Sequence, residues 1–191
     1  MDLTTLLQRC RDGDELAWEA LVRQHQSRVY ALALHYVGNA EEARDVAQEI
    51  FIRIYRNLGR CDDAAHFLPW MIRISRNACI DHLRRRQARP PGRDVPAEEA
   101  PLLATSEPAP DEAWHAKSRR RLLHLALQAL GELSREVLLL REIQGLSVEE
   151  TARLLNVPEG TVKSRANRAR VELARKVLAL SGGQYGRDGA Q

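Results

Sequence analysis

The sequence predicts an all-α fold: two small helical domains joined by a flexible proline-rich linker, the second domain a helix-turn-helix. Three observations carry this. Six of the eight prolines fall in "ARPPGRDVPAEEAPLLATSEPAPD", residues 88–111, where missing amide donors and fixed φ angles rule out a helix. On either side of it apolar residues recur at helical spacing, and no alternating β-branched run competes. Near the C-terminus a short helical pattern, a tight turn and a longer helical pattern follow one another. The expected organisation is a first domain over 1–87, the linker over 88–111, a second domain over 112–183 and a disordered tail over 184–191.

In the first domain, Trp18, Leu21, Val22, Val29, Leu32, Ala33 and Tyr36 form one apolar series, which His25 and Arg28 interrupt. Ala43, Val46, Ala47, Ile50, Phe51, Ile54, Tyr55 and Leu58 form a continuous stripe over four turns. A third helix is expected from about Leu68 to Gln87, with Met71, Ile74, Ala78 and Ile80 inward. After the linker, Trp114, Leu122, Leu125, Ala126, Ala129 and Leu130 share a helix, and "SREVLLLREIQG" forms another that stops at Gly145. "SVEE" then reads as a capping box, Ser147 and Glu150 satisfying each other's amides. The short helix it opens buries Ala152 and Leu155. Asn156 and Val157 make the turn, and Pro158 takes the first position of the last helix. In that helix Val162, Ala166, Ala169, Leu173 and Val177 share the buried face.

Net charge is only +3, but its distribution is uneven. Residues 73–89 hold six arginines against Asp81, and residues 163–176 hold six Lys/Arg against Glu172, so the rest of the chain is net −7. Two basic patches in an otherwise acidic chain suggest two contacts with a polyanion. Arginine outnumbers lysine 26 to 3, which suits bidentate phosphate and guanine contacts.

Other classes find little support. The cysteines, Cys10, Cys61 and Cys79, are odd in number and never spaced C-x-x-C, so neither a disulfide framework nor a zinc ribbon is indicated. Cys79 and His82 are three apart, but no further ligands stand nearby, and no metal or cofactor is expected. No phosphate-cradling glycine loop or nucleophile–base spacing suggests an enzyme, so no catalytic residue is assigned. No apolar run reaches the ~18 residues of a membrane span, and the expected location is cytoplasmic.

Three surfaces remain. In the last helix Thr161, Lys163, Ser164, Arg165, Asn167, Arg168 and Arg170 lie off the buried face, near its N-terminus and free of acidic partners. Small polar and basic side chains so placed are what a duplex-reading helix needs. On the third helix Trp70, Arg73, Arg76, Asn77 and Arg84 follow Phe67. Rings to stack on, an amide to read edges and guanidinium groups for phosphate suit unpaired bases. On the helix before it Asp45, Gln48, Glu49 and Ile52 recur at i, i+3, i+4 and i+7, and an exposed isoleucine among carboxylates suggests protein docking. A conventional regulator of duplex DNA would leave these last two surfaces unexplained.

The order "DVAQEIFIRIY", "FLPWMIRISRNACIDHLRRR", linker, "LSREVLLLREIQGLSVEETARLLNVPEGTVKSRANRAR" resembles the bacterial RNA polymerase sigma factors of the extracytoplasmic-function group, over about residues 14–180. The resemblance implies a promoter-specificity subunit that binds core RNA polymerase, directs it to promoters and helps open the DNA. It further implies that Asp45, Gln48, Glu49 and Ile52 dock on the polymerase. Phe67, Trp70, Arg73, Arg76, Asn77 and Arg84 would serve the melted minus-ten element, with Asn77 near a flipped base. Lys163, Ser164, Asn167 and Arg168, beside Thr161, would read the minus-thirty-five duplex, with Arg165 and Arg170 nearer phosphates. Promoter DNA, as duplex and melted strand, core polymerase and an anti-sigma factor are the implied partners. The loop "GRCDDAAHF" lacks the phenylalanine and glycine often found near its start, Pro69 replaces a small polar residue, and Asn167 is smaller than the aromatic some members carry. The resemblance therefore implies a binding mode and no particular promoter.

Overall fold

The computed structural model describes residues 2–61, 63–88, 119 and 121–181. Trp114, the expected tail and all of the expected linker except Ala88 lie outside them. The chain divides into two compact units, Met1–Pro101 and Leu102–Gln191, and all regular structure among the described residues is helical.

The first unit opens with a helix the sequence reading did not anticipate, α1 (Leu3–Arg11), capped by the Asp2 carboxylate accepting from the Thr5 amide. α2 (Glu15–Val37) is capped by Asp14 and stops at Gly38, whose φ of +74° an L side chain rarely adopts. The Asn39 side chain then caps α3 (Ala40–Asn57). Two 3-10 turns, Leu58–Arg60 and Ala64–His66, lead into α4 (Phe67–Gln87). α2 packs against α1, α3 and α4, and α3 packs against α4. Leu7, Leu21, Leu32, Ile50, Ile54, Met71 and Ile72 fill the centre.

Several expected core positions differ. Tyr55 ends the stripe of α3 but is 52% exposed, its ring resting edge-on against Trp18 at 5.0 Å. His25 does not interrupt the α2 series; it is 8% exposed, and its ring lies 5.3 Å from that of Phe67. Burial, aided by nearby Arg28, pushes its imidazole below the ordinary histidine value, in favour of the neutral form. In α4 the inward positions belong to Met71, Ile72, Ser75, Ala78 and Cys79, while Ile74 and Ile80 are half-buried. Ser75 can occupy a core position because its hydroxyl donates to the Met71 carbonyl at 2.8 Å.

In the second unit, α5 (residues 121–128) buries Ala126 and Leu127, whereas Leu125 and Ala129 face outward. α6 (Glu132–Leu138) runs directly into a single π turn, Leu139–Ile143, closed by the Gln144 amide donating to Leu139 O at 2.9 Å. Gly145, at φ +74°, ends it as expected. The capping box at Ser147 opens α7 (Val148–Leu155), with Glu150 N donating to Ser147 Oγ at 3.1 Å and Ser147 N to Glu150 Oε2 at 2.6 Å. Asn156 takes the left-handed conformation (φ 54°, ψ 49°), and the Val157 amide returns to Ala152 O at 3.1 Å. Pro158 sits one position earlier than expected: with ψ 146° it is the N-cap, and α8 (Glu159–Leu180) begins after it. Val137, Ala152, Val162 and Ala166 form one core cluster, and Leu127, Leu130, Leu138 and Ala169 another. Together they fix α8 with the opposite side outward.

Candidate nucleic-acid and protein interfaces

On α3, Asp45, Gln48 and Ile52 are exposed, the isoleucine to 44%. Glu49 shares their register but not their freedom. Its carboxylate accepts from Arg53 Nη2 at 2.6 Å and from Arg85 Nη2 of α4 at 2.9 Å. Arg53 in turn donates to Asp81 Oδ2 at 2.9 Å. Partial burial pushes the Glu49 carboxyl up, but the hydrogen bonds from Arg85 and Arg53 outweigh it and hold the group below its ordinary value. The four expected docking side chains are therefore not equivalent: Glu49 also links α3 to α4.

On α4, Phe67 is 1% exposed and packed on His25. It is a core ring, unlike the exposed stacking ring expected, and offers no face to solvent. Trp70 lies one turn further, half-buried and tilted 38° to Phe67 at 5.9 Å, so part of its indole reaches the surface. Arg73, Asn77 and Arg84 are exposed, and their side chains make no hydrogen bond or ion pair among the described residues. Arg76 is half-buried and already partnered. Arg85 and Arg86, part of the same basic run, point the other way. Arg86 Nη1 lies 3.2 Å from Glu42 Oε2, and His82 Nε2 lies 3.3 Å from the same oxygen. The α3 carboxylates therefore absorb two arginines that the sequence counted toward a polyanion. Glu42 as the partner of Arg86 was not foreseen, because 44 residues separate the two and only the packing of α3 on α4 joins them.

On α8, Lys163, Ser164, Arg165, Asn167, Arg168 and Arg170 are all exposed, and Thr161 is half-buried. Val162, Ala166 and Ala169 are buried behind them. The expected freedom from acids holds only in part. Lys163 Nζ lies 3.8 Å from Glu159, and Arg170 Nη2 lies 2.6 Å from Glu142 Oε1 of the π turn. Arg170 also donates through Nη1 to Asn167 Oδ1 at 3.0 Å. The Ser164 hydroxyl donates to Thr161 O at 3.1 Å, which leaves its lone pairs outward. Among the described residues Arg165 and Arg168 have no ion-pair partner, nor has Arg175 further along α8.

Cys10, Cys61 and Cys79 are buried free thiols, and burial pushes that of Cys79 up to about 12. Among the described residues no group of three or more His, Cys, Asp or Glu could hold a metal ion, and no helix is long and apolar enough to cross a membrane.

Comparison with known proteins covers both units. Residues 21–89 match the family model for Sigma-70 region 2, and residues 120–173 match that for Sigma-70, region 4. The RNA polymerase sigma-H factor of Pseudomonas aeruginosa is 38% identical over 180 residues, covering 92% of this chain and 93% of that protein. The ECF RNA polymerase sigma-E factor of Escherichia coli K12 is 34% identical over 180 residues, covering 92% and 94%. Among solved structures, CnrH in complex with the cytosolic domain of CnrY superposes with a TM-score of 0.65 at 24% identity, covering 93% of this chain and 99% of that one. The sigma factor RpoE of Bartonella quintana, in complex with the anti-sigma factor NepR, gives 0.64 at 19% identity, covering 87% and 97%. These two share the fold.

Proposed function

Because the chain belongs to the extracytoplasmic-function group of RNA polymerase sigma factors, we propose a division of labour among its three exposed faces. A factor of this group is not an enzyme; it binds core RNA polymerase, directs it to promoters and helps open the DNA. In our reading Asp45, Gln48 and Ile52 dock on the polymerase. The exposed part of Trp70, with Arg73, Asn77 and Arg84, holds the melted minus-ten strand. Lys163, Ser164, Arg165, Asn167 and Arg168 meet the minus-thirty-five duplex. The protein works in the cytoplasm.

The observation that carries the reading is the unpaired row Arg73, Asn77 and Arg84 beside a half-buried indole, on a helix whose other side is closed by core packing. Cations without internal partners are available to phosphates, and an amide without a partner is available to a base edge.

An anti-sigma protein is the further partner we propose. Support comes from the CnrH and RpoE structures, each solved with a bound partner, and from large apolar side chains exposed in both units, including Leu16, Ile52, Val171 and Leu178. Absence of any inhibitory protein co-purifying with the factor from uninduced cells would count against it.

Taking a base out of the stack costs a few kcal/mol, which a stacked, hydrogen-bonded pocket must offset. Asn77→Ala holoenzyme is therefore expected to form closed complexes at normal levels but to open few of them, and a pre-melted bubble should restore transcription. Permanganate footprinting on linear duplex and bubble templates measures this. Normal opening on the duplex would remove Asn77 from the minus-ten assignment.

A further inference from the structure

Arg170 was expected to lie near a phosphate, yet it is held from two sides within the second unit. Its Nη2 lies 2.6 Å from Glu142 Oε1, and its Nη1 donates to Asn167 Oδ1 at 3.0 Å. Glu142 sits in the π turn that extends α6, and widened turns of this kind recur at functional positions in helices. Carboxylate, guanidinium and amide thus form a chain that ends on the outward face of α8.

Donor chemistry settles which way the amide points. A guanidinium has five N–H donors and no acceptor, so the Asn167 atom facing it must be the carbonyl oxygen. The amino group, with two donors, faces the other way. A free asparagine reads adenine bidentately, accepting from N6 and donating to N7, and needs both ends of its amide to do so. With one lone pair of the oxygen engaged by Arg170 and its direction fixed along α8, the amino group is the fully free end that faces the groove. Guanine offers two acceptors there, N7 and O6, and thymine offers O4.

We infer that Glu142 and Arg170 are positioning residues for base selection: they orient the Asn167 amide so that it favours guanine or thymine, whose polar edge groups are all acceptors, over adenine, whose N6 donor then lacks a well-placed partner, at one base pair of the upstream element. This rests on the reading of α8 as the duplex-contacting helix. Arg170 is then not mainly a phosphate contact, because Glu142 already balances its charge. Arg168 and Arg165, unpaired among the described residues, supply the cations on this face.

The test uses holoenzyme reconstituted with core polymerase and a promoter library randomised across the upstream element. Asn167→Ala first identifies the base pair it reads. At that pair Glu142→Ala and Arg170→Ala should each raise adenine relative to guanine and thymine by about fivefold, within the range one bidentate contact supplies. Either change combined with Asn167→Ala should add nothing further there, since the residues act through one amide. All other pairs should be unmoved. An equal loss at every position would mean a purely structural role and would overturn the inference. So would an unchanged preference at the Asn167 pair, while leaving α8 as a reader. If neither Asn167→Ala nor Arg168→Ala altered any preference, the inference and the reading of α8 would fall together.

Discussion

Asp45 and Glu49 stand one turn apart on α3 in the same sequence register, but only Asp45 is unengaged. Glu49 spans two guanidinium groups, one of them on α4. Reversing the charge at the two positions should therefore have different effects. Asp45→Arg is expected to leave thermal unfolding unchanged and to weaken core polymerase binding by at least about tenfold, as a charge reversal at an interface does. Glu49→Arg would set three guanidinium groups against one another and should cost about 1 kcal/mol of stability, since the pairs are partly exposed. Fluorescence-detected core titration and urea unfolding on the same preparations separate the two. Wild-type core affinity in Asp45→Arg would remove that face from the docking assignment. Periodicity placed Glu49 correctly on the helix but was blind to what α4 brings against it. The same holds for Phe67, which the sequence put beside Trp70. A ring one turn from a functional ring looks alike in sequence whether it faces solvent or His25.

The helices themselves were most readable where local chemistry decides their ends. The capping box at Ser147, the stop at Gly145 and the turn at Asn156 all rest on hydrogen bonds within a few residues, which a sequence displays directly. α1 was missed because nine residues carry too few repeats to reveal a face. The π turn was missed because an added residue in a helical turn leaves no compositional mark. Pro158 was displaced by one position because proline's fixed φ suits both the N-cap and the first helical residue. Since both halves of the capping box are formed, Ser147→Ala should lower the stability of the second unit by about 1 kcal/mol. Ser147→Asp, which keeps an acceptor at the N-cap, should lose much less. Thermal melts followed by circular dichroism measure both. Equal losses in the two variants would show that the cap hydrogen bond is not what holds this end of α7.

Across the whole chain, both basic patches that first suggested a polyanion have part of their charge engaged by carboxylates of the protein itself. In the first unit, Glu42 and Glu49 hold Arg86 and Arg85 against α3, leaving Arg73 and Arg84 unpaired among the described residues. Each guanidinium that joins a phosphate steepens the salt dependence by about 0.9 on double-stranded DNA and less on single strands. Glu42→Gln with Glu49→Gln should therefore tighten binding of the polymerase-free factor to non-promoter DNA. It should also steepen the salt slope by up to about two units, read by anisotropy across a salt series. An unchanged slope would mean that the two arginines do not reach DNA even when released. This internal neutralisation bears on where the factor resides in a cell. A genome offers about a million or more non-specific sites, a reservoir large enough to sequester any strongly cationic protein before it meets its enzyme. By pairing two arginines of α4 with carboxylates of α3, the first unit lowers the factor's partition into that reservoir and keeps more of it free for capture by polymerase.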